Sequence, residues 1–478
     1  MAAGRTKSAA PKQAPLYHAV DHGPAVTLSP ELLAPPQRDG GWGPYAEAFL
    51  RFNRPALDAL DVKAEAHASS GGFSIRLAPG GKTGAVPLRS AQTGRVVGGL
   101  LVSPRFGWSG VGRVLAETGW PALPEFLPLP MVPGSGREVP PWVLAGPVLA
   151  RLEAMLQRMQ RGYQQREAVL GSPRGRILWN RYIAESLVRG QWHRVPCRFP
   201  DLGHDPLLRS YARWVLERVH ADLVRVGRGD PVAVGLATVA QDLLQALADV
   251  QPQRPRRHEL GLLGRGRVTD EALRLGIEAM AWVEEERGLG GGREMDGLAW
   301  ALSLETLWES YVEAVVRREA RLTGGEVRVG RLGETLVPIT WQDPVRRSLS
   351  HLVPDIVVRR GRAVYVIDAK YKAHLADLDE VGWRRFTEKE KAAHRADFHQ
   401  VLAYAGLYDA EEIIAVLVYP VQQWLWASMT SGSRSVICGE FVRGERRTQV
   451  RLVGLPFGSM TSNVSTIMQN YPVMGSFL

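Results

Sequence analysis

The sequence predicts a multi-domain α/β (α+β) chain: a β-rich module over residues 16–140, a helical middle region over 141–268, and a mixed α/β domain over 269–425. Three observations predict it. Short apolar runs punctuated by Gly and Pro dominate the front, and apolar residues at helical spacing dominate the middle. Near residue 350, two apolar runs meet at a glycine turn and lead into a helical pattern. A chain of 478 residues exceeds one typical domain and is long enough to bury more than one core.

Taken in order, residues 1–15 are small, polar and proline-punctuated, which predicts a disordered tail. Between 16 and 140, runs such as Phe73-Ser-Ile-Arg-Leu77 and Arg95-Val-Val-Gly-Gly-Leu-Leu-Val-Ser103 alternate with turn residues, as strands do. Gly80-Gly81-Lys82-Thr83 mimics the end of a phosphate-binding loop. That pattern needs a glycine where Arg76 stands and a helix where Gly84-Ala-Val-Pro87 stands, so the segment reads as a hairpin turn. Pro140-Pro141 marks a boundary. Helices are then expected over Val143–Val169, with Met155, Leu156 and Met159 on the apolar face, over Pro206–Val226 behind Asp205, and over Val232–Val250. Gln251–His258 and Gly264–Arg267 form a basic linker, and a helix over Asp270–Arg287 ends at the glycine cluster Gly288–Gly292. Residues 426–478 read as a C-terminal extension, whose last stretch, Ser459–Leu478, contains no charged residue and stands outside the expected fold.

Composition bounds function. Hydrophobic content of 45% and charged content of 23% are ordinary for a folded globular protein. A net charge of +10 and a pI near 9.7 favour a polyanionic partner, nucleic acid being the simplest. Cys197 and Cys438 lie far apart without a C-x-x-C pair, which argues against a structural zinc site or disulfide scaffold and for a reducing cytoplasm. No apolar run is long enough for a membrane span, and the first residues lack a signal-peptide core.

The chemistry concentrates at His351-Leu-Val-Pro-Asp-Ile-Val-Val358 and Ala363-Val-Tyr-Val-Ile-Asp-Ala-Lys-Tyr-Lys372. Side chains on a strand alternate faces, so Asp368 and Lys370 project together while Ala369 points away. A turn at Arg360-Gly361-Arg362 folds the second run back on the first and brings Asp355 close to Asp368. Two carboxylates held that close repel unless a cation joins them, and hard oxygen ligands beside a phosphate suit Mg²⁺, with Mn²⁺ able to substitute. Lysine is scarce here: it occurs only at positions 7, 12, 63, 82, 370, 372, 389 and 391, with arginine carrying the rest of the positive charge. A lysine retained at 370 fits a role that needs a titratable amine.

Upstream, Leu304, Leu307, Trp308, Tyr311, Val312 and Val315 recur at helical spacing, bordered by Glu305 and Glu309. Either glutamate could reach the metal; the alternative is a pair of solvated helix acids. Downstream, Gln400 and Tyr404 lie one helical turn apart, a Q-x-x-x-Y pair whose alternative is a core tyrosine beside an incidental glutamine.

The order helix with Glu, strand, strand with Pro-Asp, strand with D-x-K, helix with Q-x-x-x-Y, then the apolar strand Ile413–Pro420 resembles the restriction-endonuclease-like PD-(D/E)xK nuclease fold, in its RecB-type branch. The wording of Leu304–Val312, Leu352–Ile356, Ile367–Lys372 and Gln400–Ala405, with Arg174-Gly-Arg-Ile177, Val195–Phe199 and Asp205 further upstream, resembles the McrC family of methylcytosine-dependent restriction systems over roughly residues 150–425. One departure is Arg209-Ser210, where that family often carries Asn-Arg. The resemblance implies a central mixed sheet flanked by helices and an Mg²⁺-dependent endodeoxyribonuclease acting on double-stranded DNA in anti-phage defence. It also implies a partner, an AAA+ motor of the McrB-like GTPase type that faces the front module. Within that reading, Asp355, Asp368, the Ala369 carbonyl and Glu309 hold metal, and Lys370 assists water or the transition state. Gln400, Tyr404 and Lys372 contact DNA or orient ligands. Two other readings compete: a non-catalytic activator of the motor, and a stand-alone repair nuclease.

Overall fold

The computed structural model describes residues 14–458 apart from 29–42, 70–71, 119–121, 123, 138, 160–161, 204, 227–229, 266–269, 285–295, 343–347, 433 and 444–445. Most of the expected terminal tail, the end of the basic linker, the glycine cluster and the uncharged stretch 459–478 lie outside the described residues. In chain order the elements are β1 Leu16–Val20, β2 Val26–Leu28, α1 Gly43–Ala59, β3 Val62–Ser69, β4 Gly72–Pro79, β5 Lys82–Arg89, β6 Val96–Ser103, α2 Gly107–Thr118 and β7 Glu125–Phe126. Next come α3 Pro141–Arg158, β8 Gly162–Leu170, β9 Arg176–Ile177, the short α4 Trp179–Arg181 running into a π-turn, β10 Val195–Gly203, α5 Pro206–Val226, α6 Pro231–Gln245, α7 Arg257–Arg265 and α8 Glu271–Glu284. The remainder is β11 Trp300–Ser303, α9 Leu304–Thr323, β12 Glu326–Val329, β13 Val337–Pro338, β14 His351–Leu352, β15 Ile356–Arg360, β16 Ala363–Ala369, α10 His374–Val381, α11 Glu388–Ala405, β17 Glu412–Val421, α12 Gln423–Ser431, β18 Val436–Arg443 and β19 Arg446–Pro456.

These elements form two compact units, residues 140–294 and the combination of 1–139 with 295–478. The division differs from the three-part expectation for a physical reason. Strand β11 pairs antiparallel with β5 and β7, so the segment after the helical region completes a sheet begun at the front. The order of that sheet is β1-β6-β5-β11-β7, and β2-β4-β3 makes a second one. Gly84 shows how tightly β11 is seated: its φ is +152°, and a Cβ there would stand 2.1 Å from the Trp300 carbonyl oxygen. The front is less purely β than its composition suggests, because α1 and α2 pack into it. The Gly80-Gly81 turn does not close a hairpin. It passes the chain from β4 in one sheet to β5 in the other, and Lys82 Nζ donates to the Ala59 carbonyl 3.0 Å away.

In the unit spanning 140–294, the helix expected to run to Val169 stops at Met159. Residues 162–170 pair along their full length with β10 instead, from Leu170↔Val195 to Gly162↔Gly203. Tertiary pairing overrides a helical apolar pattern there. Helix α6 opens on Asp230, whose carboxylate accepts from Val232 and Ala233 N–H and, at 2.7 Å, from the indole of buried Trp142. Helix α5 opens the same way on Asp205, which accepts from Leu207 and Leu208. Gly276 of α8 lies against α3, where a Cβ would meet Met155 Sδ at 2.5 Å.

The other unit contains the sheet that carries the chemistry, in the order β12-β15-β16-β17-β19-β18. Strands β12, β15 and β16 are antiparallel, β16, β17 and β19 run parallel, and β18 returns antiparallel to β19. The sheet therefore continues well past residue 425, and much of the expected C-terminal extension is structural. Strand β17 is buried from Ile413 to Val421 because both of its faces are covered, which explains an unbroken apolar run where a half-exposed strand would alternate. Val364, Val366, Ile413, Ala415 and Leu417 pack with Val401 and Ala405 of α11. Helix α9 is pinned by its aromatic stripe. Trp308 Nε1 donates to the Val418 carbonyl at 3.2 Å, Tyr311 OH to the Pro456 carbonyl at 3.1 Å, and Trp308 stacks on Phe457. Full burial of each ring contributes roughly 2–3 kcal/mol.

Candidate functional site

The β15–β16 hairpin turns at Gly361, whose φ of +59° suits glycine, with register Ile356↔Ile367. That register places Asp355 one residue before β15, opposite the end of β16. The Ala369 N–H donates to Asp355 Oδ2 at 2.9 Å, and Asp355's own carbonyl accepts from Gly330 N–H at 2.7 Å. Asp368 is fully buried, and Lys370 Nζ lies 2.7 Å from its Oδ2. Strand alternation thus puts the acid and the amine together.

Lys370 is fixed from two further sides. Its backbone N–H donates to Val418, continuing the β17 ladder, and its Nζ donates to Gln400 Oε1 at 3.0 Å. Gln400 Nε2 in turn donates to Tyr404 OH at 3.1 Å, so the Q-x-x-x-Y pair forms a relay ending on the lysine. The strand ends before Lys372, whose ammonium pairs with buried Asp397 at 2.7 Å and 3.0 Å. Lys372 is engaged with a carboxylate whose charge also acts on Asp368 and Lys370. Asp397 sits one turn ahead of Gln400, a signal the sequence carried and a reading centred on Gln400 and Tyr404 passes over.

Helix α9 presents Glu305, Glu309 and Glu313 at successive turns. Glu305 is exposed and lies against Gly81. Glu309 is half-buried and faces Lys370 and Asp368. Glu313 is buried and pairs with Arg317 at 2.7 Å and Arg331 at 2.6 Å. A pocket of about 180 Å³ opens beside these groups, lined by Glu309, Glu313, Gly330, Arg331, Val353 and Asp355. Arg331 comes from a loop no local pattern linked to the site.

Burial, and then the neighbouring Asp368 charge, push the Asp355 carboxyl up to about 7 against the Ala369 N–H bond. Burial also raises Asp368, opposed by Lys370, and raises Glu309, with Glu305 adding to it. Burial works to lower Lys370, but Asp368 outweighs it and the ammonium is held above its usual range. Three acids that resist ionisation around one amine form a site short of positive charge.

Whether these residues fit a metal rests on Asp368. Its Oδ2 takes the Lys370 ammonium at 2.7 Å, while Oδ1 is buried without a hydrogen-bond partner, an arrangement that is costly unless a cation takes the open coordination. Asp355, Glu309 and the Ala369 carbonyl add hard oxygen donors, the type Mg²⁺ selects when it also keeps several waters. Among the described residues no three or more His, Cys, Asp or Glu side chains converge closely enough to hold a metal ion by themselves. The donor set fits a metal completed by water or substrate.

Fold and site together define a mixed-sheet α/β protein with a buried acid–lysine centre at the C-terminal end of an interior strand of a helix-covered sheet. A family model described as McrBC 5-methylcytosine restriction system component matches residues 143–420, more than half of the 478-residue chain, and the chain belongs to that family. No curated protein matches it. Among solved structures it is similar to a chain of the Thermococcus gammatolerans assembly of McrB AAA+ hexamers with bound McrC, at 16% identity and a TM-score of 0.40, covering 94% of this chain and 97% of that one. A chain of the Thermococcus gammatolerans McrBC complex is similar at 14% identity and a TM-score of 0.26, covering 64% and 88% respectively. Among the described residues no helix is long and apolar enough to cross a membrane.

Proposed function

We propose that this chain is the McrC-type nuclease subunit of a modification-dependent restriction complex, hydrolysing DNA phosphodiesters at the Asp355–Asp368–Lys370 centre and acting with an AAA+ McrB-like GTPase. The observation that carries the reading is the buried Asp368 carboxylate, paired through Oδ2 with Lys370, with Oδ1 left open, and set by hairpin register next to Asp355. Family membership supports the restriction context, and the net charge of +10 supports a polyanionic substrate.

Asp355, Asp368, the Ala369 carbonyl and Glu309 would hold Mg²⁺, which when bound polarises a phosphoryl oxygen and lowers the pKa of a bound water. Lys370, aimed by Gln400 and Tyr404, places a positive charge where negative charge develops on the phosphate, and orients the attacking water through its N–H donors. Pre-organisation gives that ammonium its effect, because a lysine already held on two sides loses little freedom when substrate arrives. Arg331, half exposed beside Glu309, is placed to meet a flanking phosphate.

The test is cleavage of 5-methylcytosine-containing and unmodified plasmid in Mg²⁺ or Mn²⁺, with and without the AAA+ partner and nucleotide, comparing the wild type with Asp368→Ala. Loss of cleavage in a variant that unfolds like the wild type is the expected result. Retained cleavage removes Asp368 from the chemistry. Absence of wild-type cleavage together with stimulated nucleotide hydrolysis makes the chain an activator.

A further inference from the structure

Tyr371 sits between Lys370 and Lys372, and its side chain reaches back to the front of the chain. Its hydroxyl donates to Asp21 Oδ2 at 2.9 Å, across 350 positions of sequence. Asp21 is fully buried in the turn after β1, and its other carboxylate oxygen accepts the Arg105 backbone N–H. The Arg105 guanidinium lies 3.4 Å from Asp21 and covers the faces of both Tyr371, at 4.4 Å, and Phe106, at 4.9 Å. Phe106 stacks on Phe457 at 4.7 Å, the same ring that stacks on Trp308 of α9, and Gln422, just past β17, donates to the Arg105 carbonyl. This cluster touches the β1 turn, the β6–α2 loop, the exit of β16 and the ends of β17 and β19.

A buried ion pair with two aromatic covers is an expensive way to hold a loop, since apolar side chains would serve packing equally well. Ionic and hydrogen-bonded contacts add direction. Here the direction is imposed on the residue immediately after Lys370. Beyond the ladder bond from Lys370 to Val418 and a local turn bond from Lys372 to Lys370, the Tyr371 side chain ties this segment to the front, its ring by contacts with His22, Phe106 and Arg105 and its hydroxyl by the directional bond to Asp21.

We infer that Asp21, Arg105 and Tyr371 form a latch through which the front of the chain sets the position of Lys370, Asp21 and Tyr371 being positioning residues for cleavage. The inference rests on the nuclease reading above and adds its regulation: whatever shifts the β1 turn or the β6–α2 loop moves the catalytic amine. An event sensed at the front of the chain, such as docking of the motor, would then reach the active centre through a single buried carboxylate.

Tyr371→Phe removes the hydroxyl and keeps the ring under Arg105, so the fold survives. Asp21→Asn and the double variant complete a cycle in the full-length protein. Three readouts apply: kcat and KM for Mn²⁺-dependent plasmid cleavage with the AAA+ partner, the Mn²⁺ midpoint, and amide hydrogen exchange at Lys370 and Lys372. The latch predicts a roughly tenfold loss in kcat with KM and the Mn²⁺ midpoint unchanged, faster exchange at both amides, and a double variant no worse than the worse single one. Unchanged kcat and exchange overturn it. So does a fall in the unfolding midpoint with proportionate losses in every parameter, which marks mere packing. If the wild type cleaves nothing, the nuclease reading fails by itself, and hydrogen exchange still decides whether the latch holds Lys370.

Discussion

Asp355→Asn should make the metal-free protein more stable at pH 8 while destroying its function. In the folded chain the Asp355 carboxyl titrates near 7 where its ordinary value is 3.8. Each such displacement is a stability term: ionising the group in its buried place rather than in the unfolded chain costs about 1.4 kcal/mol per pH decade, hence about 4 kcal/mol in full. Asp368 shares that cost, so about 2–4 kcal/mol is the expected gain. The folded-state pKa lies above the unfolded one, so the penalty is absent below about pH 4, grows as pH rises, and is complete above about pH 7. Asparagine removes the charge and still offers an oxygen to the Ala369 N–H, so the hairpin contact persists. Urea unfolding in EDTA, followed through tryptophan fluorescence, should show the variant more stable at pH 8, with the gap shrinking as the pH falls toward about 4. Mg²⁺ at about 1,000 times its Kd should reverse the order, because it stabilises the wild type by about 4.1 kcal/mol and the variant has lost a ligand charge. A variant less stable than the wild type in EDTA at pH 8, or a gap independent of pH, would refute the picture of a charge-starved metal site.

Two further substitutions probe the surroundings. Arg331→Ala takes away a half-exposed cation whose partner Glu313 stays paired with Arg317; KM for DNA should rise several-fold with kcat little changed, and the slope of log affinity against log salt should fall by about one, checked by binding titrations from 50 to 200 mM salt. Asp230→Ala removes the cap of α6 and the carboxylate that accepts from the buried Trp142 indole, so thermal unfolding should show a loss of about 2–3 kcal/mol in the unit spanning 140–294, with DNA cleavage chemistry untouched.

The parts of the site visible in the sequence are those governed by short-range geometry. Strand alternation was enough to pair Asp368 with Lys370, one glycine turn was enough to bring Asp355 opposite, and helical spacing was enough to join Gln400 to Tyr404. Helical spacing offered both Glu305 and Glu309, with Glu309 preferred beside Trp308; what separates them is depth, and depth depends on Trp308 and Tyr311 docking onto strand ends more than a hundred residues away. The same limit explains the misplaced boundaries. Val143–Val169 carries a helical apolar pattern, but the pairing of 162–170 with β10 is a long-range fact with no local trace. β19 lay in a segment read as a mere extension, because the parallel neighbour that makes it part of the sheet, β17, is joined to it only through α12 and β18. Lys372 would share the face of Asp368 only on a strand running to residue 372; the strand stops at Ala369, and the chain turns Lys372 toward Asp397 and Tyr371 toward Asp21. The residues proposed for the chemistry are set by local rules, whereas Arg331, Asp21 and Arg105, which surround or brace them, are recruited from distant segments. A change in the distant set can therefore alter activity while every motif residue remains intact.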